Sequence, residues 1–147
     1  MLNTKLIHPD ILEVLARAGH GSKVLIADGN YPASTTLGMN ATLVNLNLAP
    51  GMVACTDILK ALVSTIPIET ATVMSYDKAR AHALEADPPI WSEFRQILGH
   101  HGGPTEFEFI DRLDFYEVVR GPDICLVIAS GDQRIYANLM LTIGVVK

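Results

Sequence analysis

Lys23-Val24-Leu25-Ile26-Ala27 is an almost wholly apolar run closed at once by Asp28-Gly29, and Ile124-Cys125-Leu126-Val127-Ile128-Ala129 repeats the pattern before Ser130-Gly131-Asp132. Neither run alternates apolar with polar side chains, so each reads as a strand buried on both faces and stopped by a turn. Strands of this kind belong to sheets covered by helices on both sides. The rest of the chain supplies the covers. Pro9, followed by Ile11, Leu12, Leu15 and Ala16 and ended by Gly19, predicts a short amphipathic helix. Thr56 is expected to cap a helix carrying Ile58, Leu59, Leu62 and Val63 that stops before Pro67. A third helix follows Pro88-Pro89 with Ile90, Trp91, Phe94, Ile97 and Leu98 and ends near Gly99, and Asp111 is placed to cap a fourth through Arg120. Residues 43–48, 71–75 and 106–110 read as further strands, 99–104 as a loop, and 136–146 as an apolar run. Residues 76–89 carry only a weak pattern. The prediction is an α/β fold, a layered single domain over 1–147 with a mainly parallel sheet. In such sheets ligands bind beyond the C-terminal ends of the strands, which is where Asp28 stands.

Composition narrows the function. The chain has 147 residues, 11 Lys+Arg against 16 Asp+Glu, and a formal net charge of −5. With no basic cluster it offers a phosphate backbone no electrostatic footprint, so no nucleic-acid partner is expected. Hydrophobic residues make up 49% and charged ones 18%, which is incompatible with disorder. A mean hydropathy of +0.27 is high for so small a domain, and burial against sister subunits is the natural outlet. Charges, prolines or glycines interrupt every apolar stretch, and Met1-Leu2-Asn3-Thr4-Lys5 lacks an apolar signal core, so no membrane span and a cytoplasmic location are expected. Cys55 and Cys125 sit in apolar surroundings and read as buried, reduced thiols.

Several large reaction classes leave no trace. Neither G-x-G-x-x-G nor G-x-x-x-x-G-K-[ST] occurs, nor G-x-S-x-G or H-E-x-x-H. Adjacent His100-His101 in a glycine-rich tract lack the spacing that sets two ligands on one face, so a metal-dependent hydrolase ranks low and no metal is expected. Glu106 and Glu108 share a strand face without an aromatic platform, which disfavours glycosidase chemistry. His8 and His82 have weaker claims still.

What remains is Gly19-His20-Gly21, Asp28 with Tyr31-Pro32-Ala33, Asp111-Arg112-x-x-Phe115-Tyr116-Glu117, and Tyr136-Ala137-Asn138 ahead of Gly144-Val145. In order and spacing, over nearly the whole chain, this set resembles the ribose pyranase and fucose mutarotase family. The resemblance implies an α/β domain in a ring-shaped homo-oligomer, commonly a homodecamer. It implies cofactor-free interconversion of the anomers or ring forms of a free monosaccharide. It also implies roles: His20 as the general acid, Asp28 as a catalytic and sugar-contacting carboxylate, and Tyr136, Ala137 and Asn138 as substrate-binding residues. Arg112 ahead of Phe-Tyr-Glu points to the L-fucose branch, although Ser34 stands where fucose members often carry a histidine.

The residue types suit that chemistry. Opening a hemiacetal takes a proton to the ring oxygen and one from the anomeric hydroxyl, and an imidazole exchanges protons near neutral pH, with a typical gain of about 10²–10⁴-fold. Asp28 could orient His20 or accept a hydroxyl proton, while Arg112, Tyr136 and Asn138 supply donors for a polyol. Read without the resemblance, His20 is more often a helix-terminal side chain than a catalyst, Asp28 is first a turn residue, and Arg112 reads as a solvated arginine. The alternatives are a D-ribose pyranase and a non-catalytic monosaccharide-binding module linked to transport. The Tyr136-Ala137-Asn138 segment is further expected to complete a neighbouring subunit's site.

Overall fold

The two apolar runs lie side by side at the centre of one sheet: β1 (Lys23–Ala27) pairs in parallel with β5 (Ile124–Ala129), Leu25 facing Val127 and Ala27 facing Ala129. The computed structural model describes residues 2–76, 84 and 86–146. Around this pair the described residues form β2 (Thr42–Asn45), β3 (Ile68–Ser75), β4 (Glu108–Asp111) and β6 (Leu139–Ile143), with α1 (Pro9–Arg17), α2 (Cys55–Leu62), α3 (Pro89–His100) and α4 (Arg112–Val119). The sheet order is β2-β5-β1-β6-β3-β4.

Five strands run one way, as expected of a mainly parallel sheet, and β6 alone runs against its neighbours β1 and β3. Its direction follows from the connection. Residues 130–138 are too few for a helical crossover, which takes a dozen or more. The chain therefore leaves β5, passes over the end of β1 and re-enters the sheet from that same end, with Leu139 opposite Ile26. Apolar periodicity could not show this, because a buried antiparallel strand is as continuously apolar as a parallel one.

Both faces of the centre are covered. Val24, Ile26, Leu126 and Ile128 point toward α1, α2 and α3, and Leu25, Ala27 and Val127 point toward Phe115 and Val119 of α4. The chain alternates faces at every residue, which is why each residue of these runs had to be apolar.

Some local expectations change. Thr56 does not cap α2; Ala54 occupies the cap position, and the first helical N–H, that of Cys55, donates to the Asp132 carboxylate at 2.9 Å. A helix N-terminus takes an anionic acceptor from wherever the fold brings one. Asp111 is the cap residue of α4 but makes no capping bond, because its carboxylate accepts the Ser75 hydroxyl at 2.5 Å. Helix α3 continues through Gly99 to His100, so the expected loop starts two residues later. Strand β2 stops at Asn45, and Leu48, expected on its apolar face, is 79% exposed. Both thiols are free as expected, with Cys55 buried and Cys125 only half-buried. His82 lies outside the described residues.

Candidate functional site

The β6 return brings Asn138 to Asp28 at the C-terminal end of β1. The Asp28 backbone N–H donates to Asn138 Oδ1 at 2.9 Å, and Asn138 Nδ2 donates to Asp28 Oδ2 at 2.9 Å. Both residues are buried. Asp28 Oδ1 meanwhile accepts the Asn30 N–H at 2.9 Å, a local turn bond, so the turn role and the site role coexist in one carboxylate. Burial pushes the Asp28 carboxyl above its ordinary value of 3.8. The backbone N–H groups of Asn30, Ala137 and Tyr31 pull it partly back, and the charge of Asp132 adds to the rise. On balance the fold raises this carboxylate's affinity for a proton, with burial as the largest cause.

A second carboxylate sits beside it. Asp132 follows β5 as Asp28 follows β1, and its two oxygens accept Arg134 Nε at 3.0 Å and Nη2 at 2.6 Å. Burial works against its ionisation, but the Arg134 guanidinium and the N–H groups of Arg134 and Cys55 outweigh it, and the Asp132 carboxyl lies below its usual 3.8. Arg134 also bridges to Glu93 of α3 at 3.0 Å. Ser130 Oγ donates to the Ala27 carbonyl at 2.7 Å and lies 3.2 Å from Cys55 Sγ, whose thiol burial pushes up to about 12 and leaves unreactive. Gly131 admits no side chain, since a Cβ there would stand 2.0 Å from the Met52 carbonyl oxygen. The loop after β5 is thus tied to β1, α2 and α3 at once. Two neighbouring carboxyls are shifted in opposite directions, Asp132 downward by its guanidinium and Asp28 upward by burial.

His20 is elsewhere. It lies between α1 and the start of β1, and five strand residues, on the order of 16 Å, separate it from the Asp28 end. Within one chain Asp28 therefore does not orient His20, contrary to one option read from the sequence. Glu69 at the start of β3 does, with Oε2 at 2.6 Å from His20 Nε2. Both side chains are more or less half exposed, at 58% and 50%. His20 also borders an open cavity of about 670 Å³ lined by Arg17, Asn40, Thr42 and Asp123.

Of the other expected residues, Ala137 meets Asp28, Tyr136 precedes it in the same segment, and Arg112 shares its end of the sheet. Tyr136 has φ +57°, its carbonyl accepts the Trp91 indole N–H at 2.9 Å, and its ring lies 5.7 Å from that of Tyr76. Ala137 is fully buried and directs its backbone N–H toward the Asp28 carboxylate. Arg112 opens α4 just past β4, three strands from β1 or roughly 14 Å at the usual spacing. It is exposed and makes no ion pair among the described residues. Sequence reasoning passed over Glu69, Asp132 and Arg134. Asp132 carried a usable signal: an acid in the turn that closes a fully apolar strand, three residues past its end where Asp28 stands one residue past β1.

Comparison with known proteins places the whole chain. The family model described as "RbsD / FucU transport protein family" matches residues 1–146. The human fucose mutarotase is 31% identical over 149 residues, covering 95% of this chain and 90% of its own length. Among solved structures, the Streptococcus pneumoniae fucose mutarotase in complex with L-fucose superimposes with a TM-score of 0.83 at 26% identity, covering 100% of both chains. FucU from Bifidobacterium longum gives 0.80 at 34% identity over 96% of each chain. Bacillus subtilis RbsD complexed with D-ribose shares the fold, with a TM-score of 0.76 at 23% identity over 100% of both chains. The chain with Asp28 and Asn138 locked together at the end of β1 belongs to the RbsD/FucU family.

Proposed function

We propose that this protein is a sugar mutarotase that interconverts the anomers of L-fucose or a similarly configured aldose, at a site made by two copies of the chain. The observation that carries the reading is the pairing of a buried Asp28 with Asn138, while His20, the one exposed imidazole paired with a carboxylate among the described residues, faces outward at the far end of β1. A neighbouring subunit's His20 would supply what the Asp28 end lacks. Met39 at 89% exposure, Leu48 at 79% and Val146 at 88% give the chain apolar surface for such an assembly. A ring, commonly ten subunits in the family it resembles, is one closed arrangement in which every Asp28 end meets a His20.

The proton steps balance as follows. His20 gives a proton to the ring oxygen as Asp28 takes the proton of the anomeric hydroxyl, and the C–O bond breaks to leave an open aldehyde and a free hydroxyl. Rotation about the C1–C2 bond presents the other carbonyl face. The hydroxyl then attacks it, returning its proton to His20 while Asp28 returns the other to the new anomeric oxygen. No net proton is gained and no cofactor is drawn on. Asn138, held by Asp28, and the Tyr136 hydroxyl offer donors or acceptors to the sugar hydroxyls, and Arg112 is an exposed cation on this end of the sheet, whereas Arg134 is taken up by Asp132 and Glu93. The Arg112-x-x-Phe115-Tyr116-Glu117 run and the identity to fucose mutarotases favour L-fucose over D-ribose.

Saturation-transfer NMR between the anomeric protons of L-fucose, with D-ribose in parallel, tests the reaction. Acceleration on fucose is the expected result; acceleration on ribose alone would make the protein a pyranase, and none on either would leave a binding module. Mixing tests the shared site. His20→Ala and Asn138→Ala proteins, each inactive alone, should regain activity after subunit exchange, because mixed contacts re-create intact sites. If mixtures stay inactive although the subunits have exchanged, the site is not shared.

A further inference from the structure

We propose that Trp91 is a positioning residue of the site, acting on Asp28 through the single peptide group between Tyr136 and Ala137. This rests on the reading of Asp28 as the proton-handling carboxylate. The oxygen of that peptide accepts the Trp91 indole N–H at 2.9 Å, and its N–H faces the Asp28 carboxylate. In a trans peptide the two groups point in opposite directions, so one rigid plane links the indole on one side to the carboxylate on the other. A hydrogen bond at the oxygen both fixes the plane and strengthens the N–H as a donor.

The plane needs fixing. Tyr136 is the one non-glycine residue with positive φ among the described residues, at +57°, a conformation rarely adopted by an aromatic residue. Such a residue persists where its surroundings over-determine it. Trp91 provides this from the first turn of α3. It is 1% exposed, and its ring is packed by Tyr76 at 5.9 Å, Phe107 at 6.4 Å and Phe109 at 5.6 Å. So enclosed, the indole N–H has the Tyr136 carbonyl as its partner, and the carbonyl in turn depends on the indole. Rotating the plane to free the carbonyl would carry the Ala137 N–H off Asp28 and turn the chain leading into Asn138.

Trp91 is the only tryptophan in the sequence, so it can be replaced globally by benzothienylalanine, which keeps the bicyclic ring and puts sulfur in place of the N–H. Trp91→Phe is the simpler companion variant. Three readouts are expected to move in the sulfur analogue at unchanged global fold. The Asp28 carboxyl ¹³C titration shifts to higher pH, the Asn138 side-chain amide resonances shift, and kcat falls about tenfold with KM little changed, the size of one hydrogen bond lost near the reacting groups. Unchanged titration and unchanged Asn138 resonances would overturn the proposal. The two NMR readouts need no turnover. If the unmodified protein accelerates no sugar exchange, the mutarotase reading falls while the Asp28 titration still decides the role of Trp91.

Discussion

The two ends of β1 are built on opposite terms. At its C-terminal end Asp28 is 5% exposed and is held by its own turn, by Asn138 and by the loop after β5. At its N-terminal end His20 is exposed and has one side-chain partner, Glu69. The difference separates two kinds of candidate residue. On the proposed reading Asp28 serves because the fold has already desolvated it, and desolvation gives a carboxyl an affinity for protons that it lacks in water. His20 is not desolvated, and the fold leaves it free to enter another surface. One end is finished in a single chain, and the other, on the reading proposed above, is finished by a second copy.

The largest blow to this contrast falls on the finished end. Asn138→Ala leaves the Asp28 N–H and one Asp28 oxygen without partners in a buried place, and is expected to cost about 2–4 kcal/mol of stability. Chemical denaturation measures this, and anomer exchange should fall at least a hundredfold in the same protein. A loss of less than about 1 kcal/mol would mean that the pair is not the brace described here. His20→Ala should do half of this. Exchange falls by about 10²–10⁴-fold while Tm moves by no more than about 2 °C, because an exposed side chain contributes little to folding. Equal losses of stability at the two ends would erase the distinction.

Arg112 sharpens the contrast from a third position. It shares the Asp28 end of the sheet yet is exposed and unpaired among the described residues, so Arg112→Ala should leave Tm unchanged. Its effect belongs in KM for the sugar, about tenfold, with kcat little altered. A change in neither constant would remove Arg112 from the site and weaken the preference for L-fucose.

The contrast also marks how far the sequence could be read. The buried strands were legible because apolar runs bounded by Asp28-Gly29 and Ser130-Gly131-Asp132 have few other uses, and the helices because Pro9 and Pro89 open them. Asp28 was legible from the rule that ligands gather at strand ends. The direction of β6 was not, since it depends on how short a connection can cross a sheet. Nor was the alliance of Glu69 with His20, which joins residues 49 positions apart through a register that no local pattern records. Asp132 and Arg134 were visible as a turn and hidden as a clamp, because an ion pair between elements leaves no periodicity. The resemblance gave His20 and Asp28 one role each, but it was the fold that put them at opposite ends of a strand.

The smallest expected effect concerns pH. Asp28 has its carboxyl raised in the folded chain, so the stability it contributes is complete below the unfolded value near 3.8 and is lost as pH rises through the raised folded value. Asp132 runs the other way: its lowered carboxyl contributes above the unfolded value, and that contribution is lost as pH falls through the folded one. The two tendencies oppose each other in the wild type and partly mask one another in a plain profile of Tm against pH. Asp28→Asn removes only the first. An asparagine there gives up one accepted bond, a cost that does not vary with pH, but it also removes a buried negative charge whose cost grows as pH rises. The difference in Tm, variant minus wild type, should therefore become more positive between pH 4 and pH 7, by a few degrees. A difference that is flat across that range would mean that Asp28 titrates as an ordinary solvated carboxylate, and the finished end of β1 would then lose its claim to move a proton.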